Sequence, residues 1–243
     1  MLRFVTLLSL AACATTAAPA PIANQPAHPS APATPTPVLS LGDGFTLSRP
    51  FPLVSADGSI VVLAVEDGDG GRGYPNLRFV IKDRRDRIVA THVVLAADEA
   101  DGYLGDAELT KRLAPRIERA NAWLAEQNAK YGLVPLPAFT VVPGEDGYGD
   151  VKSIARDNTS VTWQAGTLDI SADKAPLVHR ATPRDWLAEK RAMPDGGGDM
   201  CENPAFLNGA AVDPARRIAV VTVSYTGTDT CWEPPDQQRV VTW

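Results

Sequence analysis

Histidine and cysteine are scarce, with three of each in 243 residues. Much of enzyme chemistry is built on these side chains. There is no Gly-x-Ser-x-Gly, so no nucleophile elbow is indicated. There is no His-Glu-x-x-His and no Gly-x-x-x-x-Gly-Lys, which removes the zinc-protease and phosphate-loop signatures. Cys-x-x-Cys is also missing, and no histidine stands at zinc-finger spacing from a cysteine. Positive charge is the minority, 23 Lys and Arg against 29 Asp and Glu. An acidic chain lacks the field that draws phosphate backbones or anionic lipid heads, which argues against nucleic acid as a partner. No uninterrupted apolar run is long enough to cross a bilayer, which takes about 20 residues.

A short apolar run is nevertheless present at the start, "MLRFVTLLSLAAC". Arg3 precedes an apolar stretch over residues 4–12, the layout of a secretory signal. It ends in Leu10-Ala11-Ala12-Cys13. That ending resembles the lipobox of bacterial lipoproteins, an aliphatic residue and two small ones before a cysteine. The resemblance implies cleavage before Cys13, diacylglycerol on its thiol, and acylation of the new amine. Alanine at position 14, in place of aspartate, favours the outer membrane by the same resemblance. The alternative is cleavage among Ala14, Ala17 and Ala18, giving a soluble periplasmic protein.

Residues 14–37 are rich in proline and alanine and hold no Lys, Arg, Asp or Glu. Such a segment cannot bury a core and tends toward extended polyproline. At ~3.1 Å per residue it reaches roughly 70 Å. The expected organisation is a signal over 1–12, a lipidated cysteine and tether over 13–37, and one globular periplasmic domain over 38–243. His28 falls in the tether and reads as a linker residue. Removing Arg3 leaves 22 basic and 29 acidic side chains, so the membrane is met through lipid and not charge. In an oxidising compartment Cys201 and Cys231 read first as a disulfide. Closing that loop stabilises by roughly 3.5–4 kcal/mol in the chain-entropy treatment.

The globular part reads as α+β: mainly antiparallel β hairpins with one long and one short helix. Residues 58–67, 76–83 and 87–96 are rich in Val, Ile and Phe between turn residues, which predicts three strands. Residues 159–171 and 175–183 suggest a weaker pair, and "RRIAVVTVSY" with "QRVVTW" another. "SADGSIVVLAV" resembles the serine-x-aspartate-glycine turn and following strand of periplasmic TolB-type propeller repeats, and "NLRFVIKD" their returning strand. The resemblance covers residues 55–83 and implies a shared hairpin design alone, because a propeller needs at least about four blades of four strands. Leu109, Leu113, Ile117, Ala120 and Leu124 recur at helical spacing within residues 106–132. Asp106 suits the cap and Gly132 a left-handed end. Pro115 predicts a short first turn and then a main helix with the proline near its first position. Arg112, Arg116, Glu118, Arg119 and Glu126 fall on the solvated side. The short helix is expected from Thr182, whose Thr-Pro-Arg-Asp forms a capping box, through Trp186 and Leu187 toward Ala192.

"VEDGDGGRGYPNLRFVIKD" holds Gly68-x-Gly70-x-x-Gly73, the spacing of a dinucleotide loop. That loop needs a helix at the third glycine, and here a strand follows. An EF-hand fails as well, with Gly71 at its fifth position and no glutamate at its twelfth. The stretch reads as a hairpin loop, its glycines supplying positive φ. Asp67 and Asp69 remain weak candidates for an irregular calcium site, with Glu145, Asp146 and Asp150 as further ligands.

His92, in "ATHVV", reads as a half-buried structural histidine. His179 beside Arg180 could serve as a general base, but the sequence indicates no serine or cysteine partner for it. Trp232 follows Cys231 and precedes Glu233-Pro234-Pro235, which suits a stapled corner or an aromatic contact surface. No cofactor and no catalytic residue is indicated. The expectation is a tethered envelope lipoprotein, outer-membrane and facing the periplasm, acting by contact with another envelope protein. The alternatives are a periplasmic hydrolase with a spatially assembled site, or a calcium or small-ligand module.

Overall fold

Strands buried on one face alternate apolar and polar residues, and strands buried on both read as unbroken apolar runs. Both patterns occur here and sort the strands into layers. The computed structural model describes residues 37–42, 44–66, 75–99, 107–137, 153–156, 158–164, 166–183, 186, 188–192, 200–225 and 235–243, with the backbone path alone for 153–156, 188–192 and 200–204.

β1 (Leu39–Leu41) and β2 (Phe45–Leu47) form a small antiparallel ribbon. The chain continues through β3 (Leu53–Val54), β4 (Ile60–Val65), β5 (Leu77–Asp83) and β6 (Ile88–Leu95). A 3-10 turn at Ala97–Glu99, the helix α1 (Ala107–Tyr131) and the short β7 (Val134–Pro135) follow. These strands make a five-stranded antiparallel sheet in the order β6-β5-β4-β3-β7. β4, β5 and β6 are the three strands expected from the sequence. The weaker pair is part of a four-stranded meander, β8 (Ser153–Arg156), β9 (Thr159–Gln164), β10 (Thr167–Ala172) and β11 (Ala175–Ala181). The last sheet runs β12 (Ala188–Ala192), β13 (Met200–Asp213), β14 (Ile218–Tyr225) and β15 (Gln237–Thr242). The fold is a β-rich α+β arrangement with one long helix.

The sheets stack. One core joins Val161, Trp163, Leu168, Ile170 and Val178 of the β8–β11 sheet to Leu207, Ala219, Val221, Val223 and Tyr225 of the β12–β15 sheet. A second joins the opposite face of that sheet, through Ala211, Ile218, Val220 and Val240, to Val61, Leu63 and Val80. A third lies under α1, where Ala120 and Leu124 meet Val62, Leu77, Phe79, Ile81 and Val94. The layers are therefore helix, sheet, sheet, sheet. This explains "IAVVTVSY": β14 is covered on both sides, so it cannot alternate. β9 and β10 cover one face only, and their Ser160, Thr162, Asp169 and Ser171 point away from the core side chains.

Two expectations are corrected. Pro115 sits inside a continuous helix and does not begin one. Its ring removes one amide and crowds the carbonyl four residues back. Ala114, Pro115 and Lys111 are all exposed, so water satisfies the freed carbonyl. The short helix does not extend to Ala192, because Ala188–Ala192 is β12, paired with residues 200–204. Local capping lost there to partnership with the long β13. Residues 184, 185 and 187 of that segment lie outside the described residues, as does Asp106. At the far end of α1, Gly132 has φ +60° and donates to the Asn128 carbonyl, the expected left-handed cap.

Asn121 fixes how the chain enters. Its side-chain oxygen accepts from the amides of Val38 and Leu39 at 2.8 Å each, and its amide donates to the Leu39 carbonyl at 2.7 Å. One helical side chain thus stands in for a neighbouring strand beside β1.

Candidate functional site

A sheet edge presents unpaired amides and carbonyls, and natural proteins blunt such edges with charge, proline, bulges or brevity. Several of the described edges are blunted in this way. β7 has two residues, one of them Pro135. β11 carries Pro176, His179 and Arg180 and faces a bulge between Ile170 and Ser171. β12 is "AEKRA". β15 is capped by side chains: Lys82 Nζ donates to the Gln238 carbonyl at 2.6 Å, and the Val240 amide donates to Asp86 Oδ1 at 2.8 Å.

β6 is guarded least by charge, with a bulge residue that β5 leaves unpaired at each end of its regular stretch, Val89 and Val94. Four large apolar side chains are exposed among the described residues, and Ile88 (63%), Val89 (54%) and Val93 (51%) are three of them. Among the described strands it pairs only with β5, antiparallel, through Arg78↔Val93, Phe79↔His92, Val80↔Thr91 and Ile81↔Ala90. Register shifts flank this stretch, leaving Ala90 to Val93 as the regular part. The helix-side face is occupied. His92 stacks on Trp123 at 5.2 Å, Trp123 on Phe79 at 6.3 Å, and Phe79 packs on Phe51 at 5.5 Å. Burial, and then the Arg119 charge, hold His92 below its ordinary pKa. At the strand's end Arg116 donates to the Val94 carbonyl at 3.3 Å and to Glu99 at 2.6 Å. The Arg116 hydrogen bond, with the Ala96 amide, pulls the Glu99 carboxyl down to about 2.

The turn before β6 is pinned by neighbours. Asp86 has φ +61° and receives Lys82 at 2.8 Å besides the Val240 amide. Arg84 donates to the carbonyls of Gly58 at 3.2 Å, Arg216 at 3.3 Å and Arg217 at 3.3 Å. Gly58 has φ +71°, and a Cβ there would lie 3.2 Å from the Arg216 Cβ, so both backbone and space demand glycine. Asp57 Oδ1 accepts from Ser55 at 2.6 Å and from the Ser59 amide at 3.0 Å, and these bonds bring its carboxyl to about 2. β6 is thus an edge strand with exposed apolar side chains, preceded by a turn that neighbouring side chains hold.

The expected chemical residues are not gathered. His179 Nδ1 meets Asp169 Oδ1 at 2.5 Å across β10 and β11, with side chains 77% and 47% exposed. The carboxylate fixes the tautomer and leaves Nε2 open to solvent. His92 has the structural role expected of it. Cys13, Asp67, Asp69, Glu145, Asp146, Asp150, Cys231 and Trp232 lie outside the described residues, and of Cys201 only its backbone place in β13 is described. The glycine stretch joins β4 to β5, whose ends pair as Val65↔Arg78. The described residues hold no group of three His, Cys, Asp or Glu able to grip a metal ion, and no helix among them is long and apolar enough to cross a membrane. No family model, curated protein or solved structure matches the chain. Sequence reasoning missed the Asp169–His179 pair, which is spatial. It also missed the edge position of β6, whose apolar run reads like that of the buried β4.

Proposed function

We propose that the chain is an envelope lipoprotein that works by protein contact, with β6 as its contact edge. In this reading Cys13 carries the lipid, residues 14–37 hold the domain off an outer-membrane surface, and a Cys201–Cys231 disulfide staples the C-terminal region. The lipobox and the spacer support the anchor. The single observation behind the contact reading is the apolar edge: Ile88, Val89 and Val93 stay exposed, while the edges β7, β11, β12 and β15 carry a proline, a charge or a cap. Strand addition at an edge takes affinity from backbone hydrogen bonds and selectivity from alternate side chains.

The test is a photo-crosslinking side chain placed at Val93 of the full chain in its native envelope, with Lys111 on the outer face of α1 as control. A discrete adduct from position 93 and none from 111 is the expected result. The absence of any adduct at 93 sinks the contact reading. Thiol labelling checks the staple separately, since both Cys201 and Cys231 are then expected to be blocked until reduction.

A further inference from the structure

We propose that Asn208 is a site of spontaneous modification, converting through a cyclic imide to aspartate and isoaspartate and so marking the age of the folded chain. The inference stands apart from the contact reading above. It is carried by the bulge in β13 and by what surrounds it.

The backbone comes first. Asn208-Gly209 is the one Asn-Gly in the sequence. β14 pairs Leu207↔Val223 and then Gly209↔Thr222, which leaves Asn208 as the extra residue of a bulge, where the ladder is interrupted. Both residues are partly exposed, so water reaches them. Among the described residues nothing demands glycine at 209. Its φ is not positive, and a Cβ there would meet Thr222 Cβ and Oγ1 at 3.7 Å each, an ordinary contact. The missing side chain leaves an uncrowded backbone nitrogen next to the Asn208 carboxamide.

The chemistry needs water and no other reactant. The Gly209 nitrogen attacks Asn208 Cγ, and the new N–C bond closes a succinimide ring. The Cγ–Nδ2 bond breaks, and its nitrogen leaves as ammonia with the proton that the Gly209 amide gave up. Water then opens the ring. Attack at Cγ gives aspartate. Attack at the main-chain carbonyl gives isoaspartate, with the chain routed through the former side chain.

The surroundings set the consequence. Asn208 Nδ2 donates to Asp236 Oδ2 at 3.1 Å, and the Ser224 hydroxyl donates to Asp236 Oδ1. This knot joins the bulge of β13 to β14 and to the residue ahead of β15. The product sets a carboxylate against the Asp236 carboxylate where a donor stood, and like charges repel. The start of β15 loosens. Asn158 supplies an internal comparison. Its amide donates to Asp173 Oδ1 at 2.8 Å and it is exposed, but Thr159 follows it, and the branched side chain crowds the nitrogen.

The test is incubation of the folded full chain in mildly alkaline buffer, with peptide mapping by mass spectrometry and enzymatic methylation of isoaspartate. Asn208 is expected to convert, with isoaspartate among the products, while Asn158 stays an amide. Gly209→Ala is expected to slow the conversion at least about tenfold, because the added Cβ crowds the attacking nitrogen. Circular dichroism and melting temperature should stay as in the parent, since that Cβ has room. Asn208→Asp should melt below the parent. Asp236→Asn added to it should restore the melting temperature, because the swap returns one donor facing one carboxylate. Asn208 remaining an amide as Asn158 does overturns the proposal, and this comparison needs no variant. Gly209→Ala converting as fast as the parent overturns the route through the Gly209 nitrogen. A swap that restores nothing overturns the consequence assigned to Asp236.

Discussion

Replacing Asp86 tests whether side-chain capping keeps β15 closed. Its carboxylate accepts the Val240 amide at 2.8 Å and Lys82 at 2.8 Å, with side chains only 19% and 12% exposed for Asp86 and Lys82, and Arg239 stands at 3.5 Å. A part-buried amide losing a charged acceptor costs about 1.5–3 kcal/mol. Asp86 also sits at φ +61°, where aspartate is tolerated and alanine is disfavoured by about 1–2 kcal/mol. Asp86→Ala is therefore expected to destabilise by about 3–4 kcal/mol. Asp86→Asn keeps an acceptor for Val240 and tolerates the same backbone, losing chiefly the ion pairs, and should cost about 1 kcal/mol. Urea unfolding at pH 7, followed by tryptophan fluorescence, reads both through the midpoint at an unchanged slope. Equal losses in the two variants would refute the reasoning, because the amide bond would then contribute nothing that charge does not. Asp86→Ala has a second expected mark. It uncovers an amide on an edge strand, so the variant should self-associate at concentrations where Asp86→Asn stays dispersed.

His92 is held below its ordinary pKa by burial and Arg119, so the unfolded chain takes up a proton first. Stability is then full above about pH 6.5 and falls as the pH drops below it, and His92→Phe should flatten the fall in urea midpoints below that pH. Glu99 is the opposite case: its carboxyl, brought down to about 2 chiefly by Arg116, stabilises fully above the unfolded value near 4.3 and loses that contribution as pH falls toward 2. Glu99→Gln should lower stability at neutral pH and make the acid limb shallower in the same assay. Asn121→Ala removes three bonds to Val38 and Leu39 and should cost about 2–3 kcal/mol, with amide exchange at residues 38 and 39 rising before that of β4.

Much of this architecture is legible in the sequence because local pattern and fold agree. The apolar stripe of α1 and its Gly132 cap give the helix, and the Val- and Ile-rich runs give β4, β5, β6 and β14. Disagreement arises where a distant partner decides. Residues 188–192 carry a capping signal ahead of them, yet they pair with β13. Pro115 would end a helix in isolation, but Leu109 and Leu113 are buried ahead of it and hold the first turns in place. The edge position of β6 was the least readable feature. "IVATHVVL" has the composition of a central strand, and only the sheet order reveals that no described strand stands beside its outer edge. What distinguishes an edge from a core strand is the neighbour, which no single segment encodes.

The Asn121 clamp has a mechanical consequence. Load arriving along the chain ahead of Val38 meets a strand clamped to α1 by Asn121 and rooted in the core through the fully buried Leu39, although β1 and β2 form a sheet of their own. Tension on the ribbon is therefore passed into the layer beneath α1, where Leu39 packs with Leu53, Val62 and Phe79.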